Sequence, residues 1–457
     1  MENNLDFKTS LPLFPYQLKG AEFLHRIGSG LLGDEMGLGK SVQALAVCER
    51  ADAKKVLIFC PSSIKWQWKE EIEKFMPGSS VAVIKGVPKE RLTLWQGDYR
   101  FYVVNYELLL RDFALMNARE WDIIVADEAH KISNARAKQS RMIKKLRGKR
   151  KIAMTGSPLS NRANEIWNLI DFCQNGVLGN YWVFIQRYCL KNKWGAIYGY
   201  TNLEELRDKL QKHMIRRLKI DVLPELPEKI ITDIPFELSE EEKILYKKLK
   251  QEILFQIAQE DISKLENPMT VQFTLVKMLR LAQLTDSMEL LGEQNKSSKI
   301  DTLKELLPEW LESSKVILYT KFSKFADILE RELEVYRPLK ITGEVKDRED
   351  IIKRFNTLDE NKIMIITDAS AYGVNFQSKC SILCFLDLPF SLGKMKQVEG
   401  RIHRIGQTKG VMIYRIIGKN TIDEHLKKIL VGKEKLSQTI LGDIPFTMDD
   451  IKEMLND

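Results

Sequence analysis

Cysteine is scarce in this chain, which has six cysteines in 457 residues. So few cysteines in so long a chain exclude a small disulfide-stabilised scaffold and favour reduced thiols inside a cell. Cys380 and Cys384 flank part of an apolar run, but no matching Cys or His pair stands nearby. The spacing therefore disfavours a metal site at these two residues.

Long apolar runs are also lacking. No stretch reaches the about 20 consecutive apolar residues that a membrane-spanning helix needs. The first residues contain neither the basic nor the apolar segment of a secretory signal. Hydrophobic residues make up 44% of the chain and charged residues 29%, which excludes a disordered protein. A length of 457 residues predicts two or three domains with cores of their own.

Neither sign of charge dominates strongly. The chain has 71 Lys and Arg residues against 63 Asp and Glu residues, a formal net charge of +8. The isoelectric point is near 8.9. This balance permits a polyanionic partner without requiring one.

A glycine-rich loop spans residues 34–41 and follows a short apolar run. Gly37 and Gly39 let the backbone wrap tightly, so that amide groups at the start of a helix can point at phosphate oxygens. We expect Lys40 to bind the β- and γ-phosphates and the Ser41 hydroxyl to ligate Mg²⁺. The loop therefore predicts a nucleotide site.

Two adjacent carboxylates, Asp127 and Glu128, follow the apolar run 123–126. Taken alone they also fit an ordinary helix start, but a buried strand would place them at the carboxyl edge of a sheet, where α/β folds bind ligands. We expect Asp127 to hold Mg²⁺ and Glu128 to polarise an attacking water. His130 would lie beside the γ-phosphate. The combination with the glycine-rich loop indicates an ATPase, although Asp34 stands where the strict P-loop pattern has Gly.

Strand-like runs alternate with helical stretches in two series. The candidates are 56–60, 101–104, 123–126 and 151–154 in the first series, and 315–320, 339–342, 363–367, 382–386 and 412–417 in the second. This alternation predicts βαβ units and parallel sheets covered on both faces. Residues 162–295 have mainly helical patterning, and the proline-punctuated segment 223–228 has the composition of a linker.

Polar and aromatic loops follow several of these strands, at 61–68, 105–107 and 155–161. Trp66 and Trp68 can stack on bases, but their helical spacing favours packing. Near the N-terminus, Gln17 opens an amphipathic helix and can hydrogen-bond both edges of an adenine, although a Gln at a helix start often has no such role.

The second series has no phosphate loop of its own, and its most distinctive segment is 397–407. If this segment is helical, Gln397, Arg401 and Arg404 lie on one face. Two arginines on one face can act as arginine fingers on γ-phosphate oxygens. The alternative is that Arg401 pairs with an acidic neighbour such as Glu399 and supports the lobe.

Together these motifs resemble the SWI/SNF-type ATPases, the double-stranded-DNA translocases of helicase superfamily two, over essentially the whole chain. In order, 14–17 resembles the adenine-reading motif, 34–41 the nucleotide loop, 61–68 motif Ia, 105–107 the next DNA-facing loop, 127–130 motif II, 155–161 motif III, 319–322 motif IV, 367–375 motif V and 397–407 motif VI. The departures are Ser157 and Ser160 in motif III, Tyr372 before Gly373, and Gly400 before Arg401. None of them removes a charge that the chemistry needs.

The resemblance implies an α/β fold of two RecA-like parallel-sheet lobes with a helical insertion between them. We expect lobe 1 at 1–165, the helical insertion and linker at 166–295, lobe 2 at 296–430 and a C-terminal helical tail at 431–457. It also implies ATP and Mg²⁺ as cofactors, and double-stranded DNA as a partner that is bound through its phosphates without sequence preference.

The site residues that the resemblance implies fall into four groups. The catalytic residues are Asp127, Glu128, Gln397, Arg401 and Arg404. The ATP-binding residues are Tyr16, Gln17, Asp34, Gly37, Leu38, Gly39, Lys40, Ser41, His130 and Gly373. The metal ligands are Ser41 and Asp127. The DNA-binding residues are Pro61, Ser62, Trp66, Asn105, Tyr106, Lys321, Thr342, Thr367 and Asn375.

The implied function is a DNA-dependent ATPase that translocates on duplex DNA and remodels DNA or protein–DNA complexes. The alternatives are a strand-separating DNA or RNA helicase, and an ATP-gated subunit that loads a nuclease or replication partner. No chromatin-reading module accompanies the motifs. We therefore expect an intracellular protein of the cytoplasm or nucleoid, from a prokaryote or a bacterial virus.

Overall fold

The computed structural model describes residues 9–156, 163–191, 197–259, 278–294, 296–343, 348–360, 362–368 and 380–439. The chain divides into two compact units, Met1–Pro224 and Glu225–Asp457. Among the described residues, no helix has the length and apolar character needed to cross a membrane.

A parallel sheet of seven strands organises the first unit. Its strands are β1 (Gly30–Leu32), β2 (Val56–Cys60), β3 (Val81–Val83), β4 (Phe101–Asn105), β5 (Trp121–Asp127), β6 (Gly148–Met154) and β9 (Met214–Ile215). They lie in the order β3-β4-β2-β5-β6-β1-β9. A separate antiparallel pair consists of β7 (Cys189–Lys191) and β8 (Ile197–Tyr200).

The interior strand β2 indicates that this sheet is covered on both faces. β2 reads Val-Leu-Ile-Phe-Cys and is buried throughout, the pattern of a strand covered on both faces. The α-helices in the described residues of the unit are Pro15–Ile27, Lys40–Arg50, Lys65–Phe75, Pro88–Gln96, Phe113–Asn117, Lys138–Lys144, Ala163–Cys173, Tyr181–Tyr188, Leu203–Gln211 and Lys219–Val222.

The second unit has a parallel sheet of six strands. Its strands are β10 (Lys229–Phe236), β11 (Lys315–Thr320), β12 (Leu339–Ile341), β13 (Ile363–Thr367), β14 (Cys380–Phe385) and β15 (Val411–Gly418), in the order β10-β15-β14-β11-β13-β12. Its described helices are Glu240–Gln259, 278–286, Ser298–Ser313, Ser323–Glu332, Arg348–Thr357, Leu392–Glu399 and Ile422–Thr439. Cys380 and Cys384 are free and buried in β14, and burial raises the pKa of both thiols.

The predicted fold class is confirmed, since both units are α/β with parallel sheets and every predicted strand is present. The segment 166–295 is mainly helical where it is described, but it also supplies strands to both sheets. β9 joins the first sheet, and β10 forms an edge of the second. The two units meet in sequence at Pro224, inside the predicted linker segment.

An ion-pair network lies in the interior of the second unit. The Lys299 ammonium lies 2.7 Å from Asp286 Oδ1 and 3.0 Å from Asp423 Oδ2, and the three side chains are at most 2% exposed. Burial alone would lower the pKa of Lys299, but the two carboxylates raise it above its usual value. The network joins helices 278–286, Ser298–Ser313 and Ile422–Thr439.

Candidate active site

The glycine-rich loop leaves the sheet after β1 and leads directly into the helix Lys40–Arg50. Gly37 and Gly39 both have positive φ angles, 85° and 69°. A Cβ at Gly39 would lie 2.5 Å from Gln17 Nε2, so a larger residue there would be strained and would collide. The helix begins at Lys40, and its first amides are therefore available to an anion. This cradle fits a phosphate group.

Lys40 hydrogen-bonds to the loop that is predicted to hold the phosphates. Its ammonium donates to the carbonyl oxygens of Asp34 and Glu35, at 2.9 and 3.3 Å. Burial lowers the pKa of Lys40, whereas the nearby carboxylates, first among them that of Glu128, oppose this effect. The lysine charge therefore lies within electrostatic reach of the carboxylate predicted to act as the base.

Tyr16 and Gln17, the predicted adenine-binding residues, are buried against the loop. The amide of Phe14 donates to Gln17 Oε1 at 3.0 Å, while Gln17 Nε2 donates to the carbonyl oxygen of Leu38 at 3.3 Å. The Tyr16 hydroxyl donates to the same carbonyl at 3.2 Å. The structure thus brings together the residues that are predicted to bind adenine and the loop that is predicted to bind phosphate.

The carboxylate pair lies at the end of β5. Glu128 has a φ of 49°, a left-handed conformation that is uncommon outside glycine and concentrates at functional sites. Its amide donates to Asp127 Oδ1 at 2.8 Å, and its Oε2 lies 3.2 Å from His130 Nδ1. Burial first, and then the charge of Glu128, raises the pKa of Asp127. The end of the strand therefore holds two carboxylates with different contacts: Asp127 accepts a hydrogen bond from the Glu128 amide, and Glu128 lies beside the His130 ring.

Two buried aromatic residues, Trp68 and Tyr106, support Asp127. The indole nitrogen of Trp68 donates to Asp127 Oδ2 at 2.9 Å, and the Tyr106 hydroxyl donates to the Asp127 carbonyl at 2.7 Å. Both side chains are 2% exposed. The structure therefore points away from the predicted DNA contact by the Tyr106 side chain. Trp68 packs as expected, but it also makes a hydrogen bond that no spacing in the sequence signals.

The other residues of the first unit that are predicted to bind DNA differ in how exposed they are. Pro61 is buried, whereas Ser62 is exposed and Trp66 is 41% exposed. The ammonium group of Lys85 lies 4.8 Å from the centroid of the Trp66 ring. Asn105 is half-buried and accepts a hydrogen bond from Lys65 at 3.2 Å. This part of the first unit combines an exposed aromatic ring with cations.

In the second unit, the described side chains predicted to bind DNA lie inside the fold. Lys321 donates to the carbonyl of Leu388 at 3.1 Å, and its side chain is 6% exposed. Thr342 and Thr367 are 9% and 1% exposed. This burial argues against contact of these three side chains with DNA. Gly373 and Asn375 lie outside the described residues, as do Ser157 and Ser160.

The segment 397–407 is helical only over its first three residues, so the condition for placing Gln397, Arg401 and Arg404 on one helical face is not met. The helix Leu392–Glu399 ends at Gly400, and Arg401 to Gly406 form turns instead. The physical reason is the glycine, which costs about 1 kcal/mol relative to Ala in a helix interior. Arg401 and Arg404 are therefore not placed by a common helical face. Gln397 is buried at 4% exposure.

Asp34 departs from the strict loop pattern, and the structure supplies its partner. The carboxylate is fully buried and pairs with Arg217. Sequence reasoning missed Arg217 as a site residue, because 183 positions separate the two residues along the chain. The one available signal was the pair Arg216-Arg217 just before the linker, which has the character of an ordinary basic segment.

Comparison with known proteins decides the family. Residues 16–289 match the SNF2-related domain, and residues 298–406 match the helicase conserved C-terminal domain. The chain belongs to the SNF2-related family.

Relatives of this SNF2-related chain occur in bacteria and animals. It is 31% identical to the uncharacterized ATP-dependent helicase MG018 of Mycoplasma genitalium, over 94% of this chain and 42% of that protein. It is 30% identical to the chromodomain-helicase-DNA-binding protein 1-like of Danio rerio, over 96% of this chain and 45% of that protein. The chain thus spans less than half the length of either relative.

Among solved structures, the SWI2/SNF2 ATPase core of Sulfolobus solfataricus in complex with double-stranded DNA is 28% identical. The match covers 98% of both chains with a TM-score of 0.47.

Proposed function

We propose that this SNF2-related chain is a DNA-dependent ATPase that translocates on double-stranded DNA and couples hydrolysis to remodelling of DNA or of protein–DNA complexes. The observation that carries the ATPase part is the sheet order β5-β6-β1. Because these strands are parallel, the loop after β1 and the carboxylates after β5 share one edge of one sheet. Ligands of α/β proteins bind at this edge.

The donor groups at this edge fit Mg·ATP. The Ser41 hydroxyl and the Asp127 carboxylate are hard oxygen ligands of the kind that Mg²⁺ prefers, and these two residues would hold the ion. When bound, Mg²⁺ neutralises charge on the phosphate oxygens. Lys40 binds the β- and γ-phosphates, and Glu128 orients a water and accepts its proton. Tyr16 and Gln17 lie beside the loop at the place where the adenine is expected.

The DNA part of the proposal is supported by the surface around Trp66. This exposed ring lies close to the ammonium groups of Lys85 and Lys69, at 4.8 and 5.8 Å from its centroid. Exposed Ser62 begins the same segment. Cations and hydroxyl groups contact phosphates without reading sequence, so binding is expected to be sequence-tolerant and to weaken with salt. DNA binding is also part of the name of the Danio rerio relative.

Translocation is tested by displacement of a third strand from a triplex. Each substrate carries the triplex on a duplex track, and displacement is followed with ATP and with Glu128→Gln protein as the matched control. The proposal expects ATP-dependent displacement of the third strand while the underlying duplex stays intact. Separation of the duplex strands would favour the helicase alternative. ATP-dependent DNA binding without displacement would favour the loader alternative.

A further inference from the structure

The carboxylate of Asp34 lies in the interior of the first unit with no exposed surface. A buried carboxylate is costly unless it is paired and hydrogen-bonded. Arg217 supplies the pairing in a bidentate arrangement, with Nε 2.9 Å from Oδ1 and Nη2 on Oδ2. The backbone amide of Arg217 also donates to Oδ1, at 3.1 Å. The start of the nucleotide loop is therefore anchored to a residue that follows β9.

The same guanidinium group contacts two further parts of the nucleotide site. Nη1 donates to the carbonyl oxygen of Tyr16, and the guanidinium carbon lies 5.4 Å from the centre of the Tyr16 ring. Nη2 donates to Gln43 Oε1 at 2.8 Å. Gln43 in turn donates to Asp34 Oδ2 at 3.0 Å. The adenine-side helix, the start of the loop and the helix after the loop thus meet at one side chain.

Backbone hydrogen bonds continue this attachment along the loop. The amide of Gly33 donates to the carbonyl of Ile215 at 2.8 Å, and the amide of Glu35 donates to the carbonyl of Arg217 at 2.9 Å. The amide of Lys219 donates to Glu35 Oε2 at 2.8 Å. The chain after β9 therefore runs beside the first two loop residues and fixes them from one side.

We propose that Arg217 is a positioning residue for ATP binding, which holds the adenine-side helix and the phosphate loop in the geometry that the nucleotide requires. It acts through Asp34, Tyr16 and Gln43. Holding a site in its binding geometry increases affinity, because the cost of ordering it is not incurred when the ligand binds. This role also accounts for a carboxylate at position 34, where the strict P-loop pattern has a glycine.

Gly20 provides a second way to disturb the same group. A Cβ at this position would lie 2.5 Å from Arg217 Nη2 and 2.0 Å from Gln43 Oε1. Gly20→Ala would therefore displace the guanidinium group and the Gln43 amide together, while leaving the charge of Arg217 in place. Gly20→Ala therefore tests the position of these groups, whereas Arg217→Ala tests the presence of the guanidinium group.

The experiment measures two quantities on the same preparations: the affinity for a fluorescent ATP analogue and the temperature of thermal unfolding. The variants are Arg217→Ala, Arg217→Lys and Gly20→Ala, with Arg207→Ala as the control because Arg207 is exposed and lies on the helix Leu203–Gln211. Arg217→Ala is expected to raise the dissociation constant about tenfold or more, since it removes several charge-assisted hydrogen bonds. Arg217→Lys is expected to recover only part of the affinity, because lysine lacks the planar fork. Arg207→Ala should change nothing.

Kinetics and a second substitution separate positioning from plain structural support. Positioning predicts that Arg217→Ala raises KM for ATP, with kcat at saturating ATP little changed. It also predicts that Arg217→Ala with Asp34→Asn is milder than the product of the single effects, because the double variant leaves no unpaired buried carboxylate. A lower melting temperature with unchanged affinity per folded molecule would overturn the proposal. The proposal would also be overturned if the effect of the double variant equalled the product of the effects of the two single variants.

This inference rests on the proposed ATP site, and Lys40→Ala distinguishes the two. Loss of analogue binding in Lys40→Ala with normal binding in Arg217→Ala would refute the positioning role alone. Normal binding in Lys40→Ala would refute the ATP site itself.

Discussion

The indole nitrogen of Trp68 lies 2.9 Å from Oδ2 of Asp127 and donates a hydrogen bond to it. Trp68 belongs to the helix Lys65–Phe75, which also carries the exposed ring of Trp66. The helix of the proposed DNA surface is therefore bonded directly to the proposed Mg²⁺ ligand. Tyr106 makes a second bond to the same residue, through the Asp127 carbonyl.

Trp68→Phe is expected to lower turnover and to raise the Mg²⁺ concentration needed for half-maximal rate. The substitution keeps an aromatic side chain but removes the donor, and a hydrogen bond to a charged group contributes about 1.5–3 kcal/mol, or roughly tenfold or more in affinity. Hydrolysis measured across a Mg²⁺ series tests this. Trp66→Phe is the matched control, and it should leave the Mg²⁺ dependence unchanged. Equal Mg²⁺ dependence in both variants would contradict the support role of Trp68.

The raised pKa of the Asp127 carboxyl predicts how Mg²⁺ binding depends on pH. Burial, and then the charge of Glu128, raises the pKa of this carboxyl to about 6. A carboxyl with a raised pKa is neutral below that pH and cannot ligate a cation, so Mg²⁺ affinity should fall as the pH drops through about 6. Because the Trp68 hydrogen bond favours the charged carboxylate, Trp68→Phe should move this loss to higher pH. Calorimetric titration with Mg²⁺ in the presence of an ATP analogue measures it. Affinity that stays constant from pH 8 to pH 5 would argue against Asp127 as the ligand.

Glu128→Gln is expected to abolish turnover while ATP remains bound. The amide keeps the shape of the side chain but cannot accept the proton of the attacking water, and a general base contributes about 10²–10⁴-fold. The left-handed φ of 49° at this position remains accessible to Gln in the same backbone. Steady-state hydrolysis and analogue binding on one preparation measure both quantities. Turnover within about threefold of the parent protein would place the base elsewhere.

Arg401→Ala is expected to reduce hydrolysis strongly, with little change in ATP affinity of the DNA-free protein. An arginine finger contributes about 10³–10⁵ in rate, so even a poorly placed one is measurable. Lys40→Ala should instead weaken nucleotide binding itself. If Arg401 only supports its own unit, Arg401→Ala would lower the melting temperature while DNA-stimulated hydrolysis per folded molecule stayed intact.

Lys299→Met is expected to destabilise the second unit by about 3–5 kcal/mol, the cost of leaving buried charges without their partner. The variant leaves two carboxylates, Asp286 and Asp423, in the interior without their ammonium partner. Denaturant unfolding measures the loss. Lys304→Met is the control, because Lys304 also pairs with a carboxylate, that of Glu332, but its side chain is 40% exposed. Equal losses in the two variants would contradict the role given to the buried network.

The sheets could be predicted because their strands are continuous apolar runs. β2, β11 and β13 begin and end at the predicted residues. β10 was missed for the opposite reason: it is an edge strand whose residues are mostly half-buried or exposed, and it includes Lys229 and Asp233. Sequence periodicity identifies a buried strand more readily than a short or edge strand.

The site was predictable where neighbouring residues carry the chemistry, as in the loop 34–41 and at Asp127 and Glu128. It was not predictable where distant residues meet. Arg217 reaches Asp34 across 183 positions, and Trp68 reaches Asp127 across 59. A shared helical face for Arg401 and Arg404 depended on a helix through this segment, and the helix instead ends at Gly400.

Duplex DNA is proposed as the polymer that drives hydrolysis, and the ATPase rate with different polymers tests this proposal. The rate is measured without polymer and with duplex DNA, single-stranded DNA and RNA, at equal nucleotide concentration and at two salt concentrations. The largest stimulation is expected with duplex DNA, and this stimulation should weaken at the higher salt concentration. Equal or greater stimulation by single strands or by RNA, together with unwinding of a blunt duplex, would contradict it.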